Sequence, residues 1–232
     1  MRAVLFDLDG TLLDLDLRDF LRRYFAALEI ASAPLLDDRP GAAAVFMTAL
    51  QEAVGAMTEL HPGRTNQDVF YDALLCSTGV DLHHHWPLFE AFYADVFPTL
   101  RDTARPAAGG REAVSTALEL GLRVAIATNP IFPRAAVERR LEWAGLSDLR
   151  LPVITTYEDM SACKPHAEYY RQTAGLLDVS PHDCLMVGDD RALDLPAADV
   201  GMRTYYVGPE PNAAADMHGT LFELADLLPR LV

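Results

Sequence analysis

The chain is poor in cysteine, in long apolar runs and in positive charge, and each shortage narrows its function. Its three cysteines, Cys76, Cys163 and Cys184, are odd in number and far apart. Without a C-x-x-C pair they give no sign of a redox or zinc site and suit a reducing compartment. The longest apolar stretches, such as residues 41–50, reach about half of the ~20 residues that a membrane span requires. The apolar run after Met1 is cut by Asp7 before it reaches a signal-peptide core length, so a cytoplasmic protein is expected. Basic residues number 19 against 34 acids, a formal charge of −15, which would repel a nucleic-acid backbone or an anionic membrane surface. Neither is an expected partner. An anionic substrate would need a cation or a positive cluster supplied at its own site.

What is present is a core-forming composition: 232 residues, 50% apolar and 23% charged. Short apolar runs at residues 3–6, 123–127, 152–155, 184–187 and 203–207 look like strands buried on both faces. Between them, residues 111–120, 133–144 and 166–177 have helical periods ended by Pro or Gly, and residues 220–228 read as a closing helix. Strand and helix in alternation predict a doubly wound, Rossmann-like α/β fold with a parallel sheet. Residues 15–105 break the alternation. Helical periods at 17–30, 42–57, 66–76 and 84–96, punctuated by Pro34, Pro40, Pro62 and Gly63, read as a helical insert, leaving residues 1–14 and 106–232 as the core domain.

Ligands of open α/β sheets bind beyond the carboxyl ends of the strands. There the sequence has Asp7-Leu8-Asp9-Gly10-Thr11 after the first run, Thr128-Asn129 after the second, and Gly188-Asp189-Asp190 with Asp194 after the fourth. So many carboxylates on one edge repel one another and raise each other's pKa unless a cation is bound. Oxygen donors without cysteine or histidine suit Mg²⁺, held by one or two carboxylates together with substrate phosphate. Lys164, between the third and fourth runs, adds a second positive charge.

In this order, Asp7-Leu8-Asp9-Gly10-Thr11, Thr128, Lys164-Pro165 and Gly188-Asp189-Asp190 with Asp194 resemble the four motifs of the haloacid dehalogenase superfamily. The resemblance implies a Mg²⁺-dependent phosphatase acting on a small phosphorylated metabolite. Asp7 would be the nucleophile that forms an aspartyl phosphate. Asp9 would act as acid toward the leaving group and then as base toward water. Thr128, with the backbone at Asn129, would hold phosphoryl oxygens, and Lys164 would neutralise charge. The metal would be held by Asp7, the Asp9 carbonyl and Asp189, with Asp190 and Asp194 completing or orienting its shell. The insert falls where the family places a helical cap of the C1 type, with hinges near residues 13–16 and 99–105. A phosphomutase is the nearest rival; a dehalogenase, a non-catalytic aspartyl-phosphate switch and a silent scaffold lie further off.

Other features have plainer readings. His83-His84-His85 reads as a helix start or polar loop rather than a metal site. Arg18, Arg22 and Arg23 would either face an anionic substrate or form a solvated helix face. Phe89, Phe92, Tyr93 and Phe97 have the spacing of a helical core. Pro196 and the rigid, apolar stretch 129–133 depart from the family's usual pattern, the latter as a shaper of the pocket.

Overall fold

The computed structural model describes residues 1–36, 41–208, 210 and 214–232; Pro40 lies outside them. The strands are β1 (Ala3–Phe6), β2 (Leu13–Leu15), β3 (Ala104–Pro106), β4 (Arg123–Ile126), β5 (Val153–Ile154), β6 (Cys184–Gly188), β7 (Arg203–Tyr206) and β8 (Met217–His218). The α-helices are α1 (Leu17–Ser32), α2 (Ala42–Met57), α3 (Asn66–Thr78), α4 (Leu82–Ala91), α5 (Gly110–Glu119), α6 (Arg134–Trp143), α7 (Ala167–Leu176) and α8 (Leu221–Leu227). Among the described residues, no helix is long and apolar enough to cross a membrane.

Six strands form one sheet in the order β5-β4-β1-β6-β7-β8, and every pairing is parallel. All four residues of β1 are buried, as an unbroken apolar run in a sheet covered on both faces must be. β1 pairs in register with β4 on one side, Phe6 against Ile126, and with β6 on the other, Phe6 against Val187. The chain builds β4 and β5 outward from one edge of β1 before it crosses to β6. The ends of β1, β4 and β6 therefore open a crevice at the point where the winding changes direction.

Two small elements depart from the expected pattern. β8 extends the sheet by a two-residue strand, and β2 pairs antiparallel with β3 where the sequence reading had hinges. Leu13-Asp14-Leu15 is too short to show alternation, and its partner lies about ninety positions on, so nothing local signals the ribbon. The fourth expected helix is also different. It starts at Leu82, because the Asp81 carboxylate accepts the His83 N–H at 2.9 Å, and past Ala91 it widens into a π-helical turn at Phe92–Val96. His83, His84 and His85 thus form a helix start, with the His83 ring edge-on to Tyr71 at 4.7 Å.

An aromatic seam ties the helical insert to the sheet-bearing part. Phe20 of α1 packs edge-on to Phe97 at 5.9 Å, and Phe97 stacks on Trp143 of α6 at 5.3 Å. Phe97 is fully buried, so truncation removes contacts on both sides of the seam at once. We expect Phe97→Ala to lower unfolding free energy in urea by about 3–5 kcal/mol. A loss under about 1 kcal/mol would mean that the two parts are held elsewhere.

Candidate active site

The loop after β1 is folded tightly onto itself. The N–H groups of Leu12 and Leu13 both donate to the Leu8 carbonyl, at 2.9 and 2.8 Å, and Gly10 N–H donates to the Leu13 carbonyl at 2.8 Å. Gly10 has φ +90°, and a Cβ there would lie 2.4 Å from Asp189 Oδ2. Only glycine allows both the turn and that approach. Thr11 completes the join by donating its hydroxyl to Asp189 Oδ1 at 2.7 Å. Gly188 has the matching role on β6, where a Cβ would lie 2.1 Å from Asp194 Oδ2. Two glycines thus allow carboxylates from distant parts of the chain to come close.

Asp7, Asp189 and Asp194 each offer a carboxylate oxygen, all within 4.8 Å of one another. Lys164, with 3% of its surface exposed, donates to Asp7 Oδ1 at 2.7 Å and to Asp194 Oδ1 at 2.6 Å. Burial works against the ammonium, but the Asp194 and Asp7 carboxylates outweigh it and hold its pKa well above the usual value. One cation then faces three acids. Burial raises the Asp7 carboxyl well above its ordinary value, Lys164 opposing and Asp194 adding to the rise. Asp189 is also raised, by burial first, with the Thr11 hydrogen bond opposing. Two carboxyls pushed toward protonation among oxygen-only donors suit a hard divalent cation, which neutralises the surplus charge and reverses those shifts.

The remaining expected groups fall on both sides of this cluster. Thr128 is buried beyond β4, and its carbonyl accepts from the Thr155 and Tyr169 hydroxyls at 2.6 and 2.9 Å. Asn129 Oδ1 accepts the Lys164 backbone N–H at 3.1 Å, tying the two loops together. Asp190, expected in the metal shell, is turned to another task. Its Oδ1 accepts the N–H groups of Ala192 and Leu193 at 2.7 and 3.1 Å, an Asx turn that shapes the loop. Asp194 has both oxygens engaged, by Lys164 and by Asp190 N–H at 2.9 Å, which favours orienting the shell over filling it.

The Asp9 side chain is likewise outside the carboxylate cluster, because it is ion-paired with Arg140 of α6, a residue the sequence reading did not single out. Thr155 and Tyr169 were missed too. An uninterrupted helix and a loop threonine have no local pattern that separates them from structure. In the insert, Arg22 pairs with Asp19 and Arg23 with Asp102 at 2.8 Å, so the solvated helix face is the better reading for those two. A cavity of about 90 Å³, lined by Tyr24, Leu50, Trp86, Phe89, Phe132 and Tyr157 among others, lies between the insert and the stretch after Asn129. That is several times the ~10–15 Å³ one water requires, and its wall carries no charged side chain.

Removing Lys164 strands two buried carboxylates. We expect Lys164→Met to cost about 3 kcal/mol near pH 8. Protons can replace the lost ammonium, so the gap from wild type should narrow as the pH falls toward about 5. Urea unfolding at both values checks this, and a gap that widened in acid would contradict the charge assignment.

A family model described as "Hydrolase: haloacid dehalogenase-like hydrolase" matches residues 1–200. Among curated proteins, the chain is 35% identical over 103 residues to Haloacid dehalogenase-like hydrolase domain-containing protein 3 of Xenopus laevis, covering 44% of this chain and 41% of that protein. It is 29% identical over 153 residues to Pyrophosphatase PpaX of Bacillus cereus (strain B4264), covering 64% and 62%. The match thus spans less than two thirds of either relative's length. A crystal structure of a HAD phosphatase from Thermococcus onnurineus shares the fold, with a TM-score of 0.60, 23% identity and 98% of both chains covered. With the motifs gathered on one sheet edge and the profile matched across most of its length, the chain belongs to the haloacid dehalogenase-like hydrolases.

Proposed function

We propose that this hydrolase is a Mg²⁺-dependent phosphatase that acts on small phosphorylated compounds through an aspartyl phosphate on Asp7. The observation that carries the reading is the separation of the two acids of the first motif. Asp7 sits with Lys164, Asp189 and Asp194, whereas Asp9 is held apart from them. That division suits a nucleophile set beside an ammonium and a cation site, and a second carboxyl kept apart for proton transfer.

An Asp7 oxygen attacks phosphorus in line, and the bond to the leaving oxygen breaks as Asp9 gives that oxygen a proton. In the second half, Asp9 takes a proton from water, the water oxygen attacks phosphorus, and the Asp7–phosphorus bond breaks to release phosphate. Lys164 offsets charge on Asp7 and on the phosphoryl group, while Thr128 and the Asn129 backbone orient phosphoryl oxygens. Asp7, Asp189 and the Asp9 carbonyl would hold Mg²⁺, with Asp194 orienting that set, and the ion would supply Lewis-acid stabilisation of the phosphoryl charge. The helical insert acts as the cap over this crevice, excluding water and contacting the organic part of the substrate. Its uncharged, aromatic cavity favours compounds whose organic part is aromatic or branched over polyhydroxylated ones.

With Mg²⁺ we expect phosphate release from p-nitrophenyl phosphate, abolished by EDTA and by Asp7→Asn, with kcat reduced about 10²–10⁴-fold by Asp9→Asn through loss of the base that activates water in the second half. Full turnover by Asp7→Asn protein would end the reading. A panel of phosphate esters tests the cap: transfer of phosphate within the substrate marks a phosphomutase, and chloride release from 2-chloropropionate marks a dehalogenase.

Cation binding also has a readout independent of turnover. A raised Asp7 pKa favours the metal-free fold below the ordinary carboxylate range and costs it stability as the pH rises through the raised value. Protons compete with the cation over that same interval. The Mg²⁺-induced rise in Tm should therefore be larger near pH 8 than near pH 5 and be lost in Asp189→Asn. A rise equal at both values would place the cation elsewhere.

A further inference from the structure

Arg140 is fully buried, although its helix begins at the surface and carries Arg134, Glu138 and Arg139 as well. Its Nη1 is hydrogen-bonded to Asp9 Oδ2, and the guanidinium carbon lies 4.5 Å above the Phe132 ring. Nε reaches the Ala136 carbonyl at 3.4 Å. Two atoms remain unanswered: Arg140 Nη2 and Asp9 Oδ1 are both buried with no hydrogen-bond partner among the described residues.

A buried ion pair contributes little net stability over apolar side chains of the same volume, so stability alone gives weak reason for an arginine here. Its geometry gives a better one. The Asp9 carboxylate stands two residues from Asp7, beside any cation held by Asp7 and Asp189. Left to that cation, it would be drawn in as a further ligand. A guanidinium is the cation suited to prevent this, because it is always charged and is fixed as a plane, here against Phe132. One Asp9 oxygen is then engaged and the other is left unpaired.

We propose that Arg140 is a positioning residue. By holding Asp9 Oδ2 it keeps this carboxyl out of the metal-binding cluster and leaves Oδ1 as the oxygen that exchanges the proton. The Ile131-Phe132-Pro133 stretch supports the arrangement from below, since Phe132 both carries the guanidinium and lines the cavity beneath the insert. The proposal rests on the phosphatase reading, in which Asp9 protonates the leaving group.

The test is a double-variant cycle measured as kcat/KM, which reports phosphoryl transfer to Asp7, on two substrates that differ in leaving-group acidity. For phenyl phosphate, whose leaving oxygen needs the proton, Arg140→Met should lower kcat/KM about 10–10²-fold. For p-nitrophenyl phosphate, whose leaving group departs as the anion, the loss should stay within about threefold. Arg140→Met added to Asp9→Asn should make neither reaction slower than Asp9→Asn alone. Arg140→Lys should recover part of the phenyl phosphate activity. Thermal melts establish that each variant is folded; if Arg140→Met is not, the same cycle is run with Arg140→Lys, which keeps the charge and loses the planar fork. Equal losses on both substrates, or losses that multiply in the double variant, would assign Arg140 a structural role and overturn the proposal. A wild-type protein without Mg²⁺-dependent turnover of either ester would overturn the phosphatase reading and this one with it, whereas an active wild type with a multiplicative cycle overturns only the role of Arg140.

Discussion

Two buried carboxylates, Asp7 and Asp194, share one ammonium at the carboxyl edge of the sheet, with Asp189 beside them, and much of the structure follows from keeping that arrangement in place. Lys164 spans Asp7 and Asp194 with two short hydrogen bonds. Neither acid can move without stranding the other's partner. The cost of holding such charges out of water is lowest when the geometry is fixed beforehand. The parallel sheet provides this, since β1 and β6 are neighbours in register and deliver Asp7 and Asp189 from adjacent strand ends. Gly10 and Gly188 remove the Cβ atoms that would keep the acids apart. Thr11 then ties the first loop to the last.

Beside this cluster the protein places its second buried cation, and the two differ in kind. Lysine presents a compact charge that two carboxylates can share, which suits a site whose surplus charge a metal and a phosphoryl group must balance. Arginine presents a plane with fixed donor directions, and here it is stacked on Phe132 and bound to a single carboxylate. Two aspartates separated by one leucine are thus put under different control, one electrostatic and shared, the other directional and private.

The legible part of this design is the part written in runs. Residues 3–6 and 184–188 are strands buried in a parallel sheet and show as unbroken apolar segments, and 123–126 becomes apolar after Arg123, so that their ends mark the site. Asp7, Thr128, Lys164 and Asp189 stand out in the sequence because each lies at such an end or in the loop that links two of them, and the structure brings Asp7, Lys164 and Asp189 together. Asp190 was expected to complete or orient the shell; its side chain closes its own loop while its N–H holds Asp194, an arrangement that adjacency to Asp189 on the chain does not foretell. Arg140 could not be read from the sequence. It follows another arginine in a helix rich in charge, and burial of that one guanidinium depends on Asp9, more than a hundred positions earlier, being folded against it. β2 and β3 were missed for the same reason, because each is a strand only by virtue of its distant partner.

The helical insert bears on the same loops that carry the charges. At the start of α3, the Asn66 and Gln67 N–H groups donate to the Met160 and Tyr157 carbonyls at 2.7 and 2.9 Å, and the Asn66 amide donates to the Pro130 carbonyl at 3.0 Å. On the other side, Cys163 donates to the Met57 carbonyl at 3.3 Å and His166 meets the Thr58 carbonyl at 2.7 Å. Burial, opposed by the Asn66 hydrogen bond, pushes the Cys163 thiol up to about 12, so at neutral pH it serves here as a donor and not as a nucleophile. These contacts grip the chain directly after Thr128-Asn129 and on either side of Lys164. Lifting the insert off the core would break hydrogen bonds to both loops at once, and Asn129 links those loops through the Lys164 backbone. The seating of the insert and the placement of the ammonium are therefore mechanically joined.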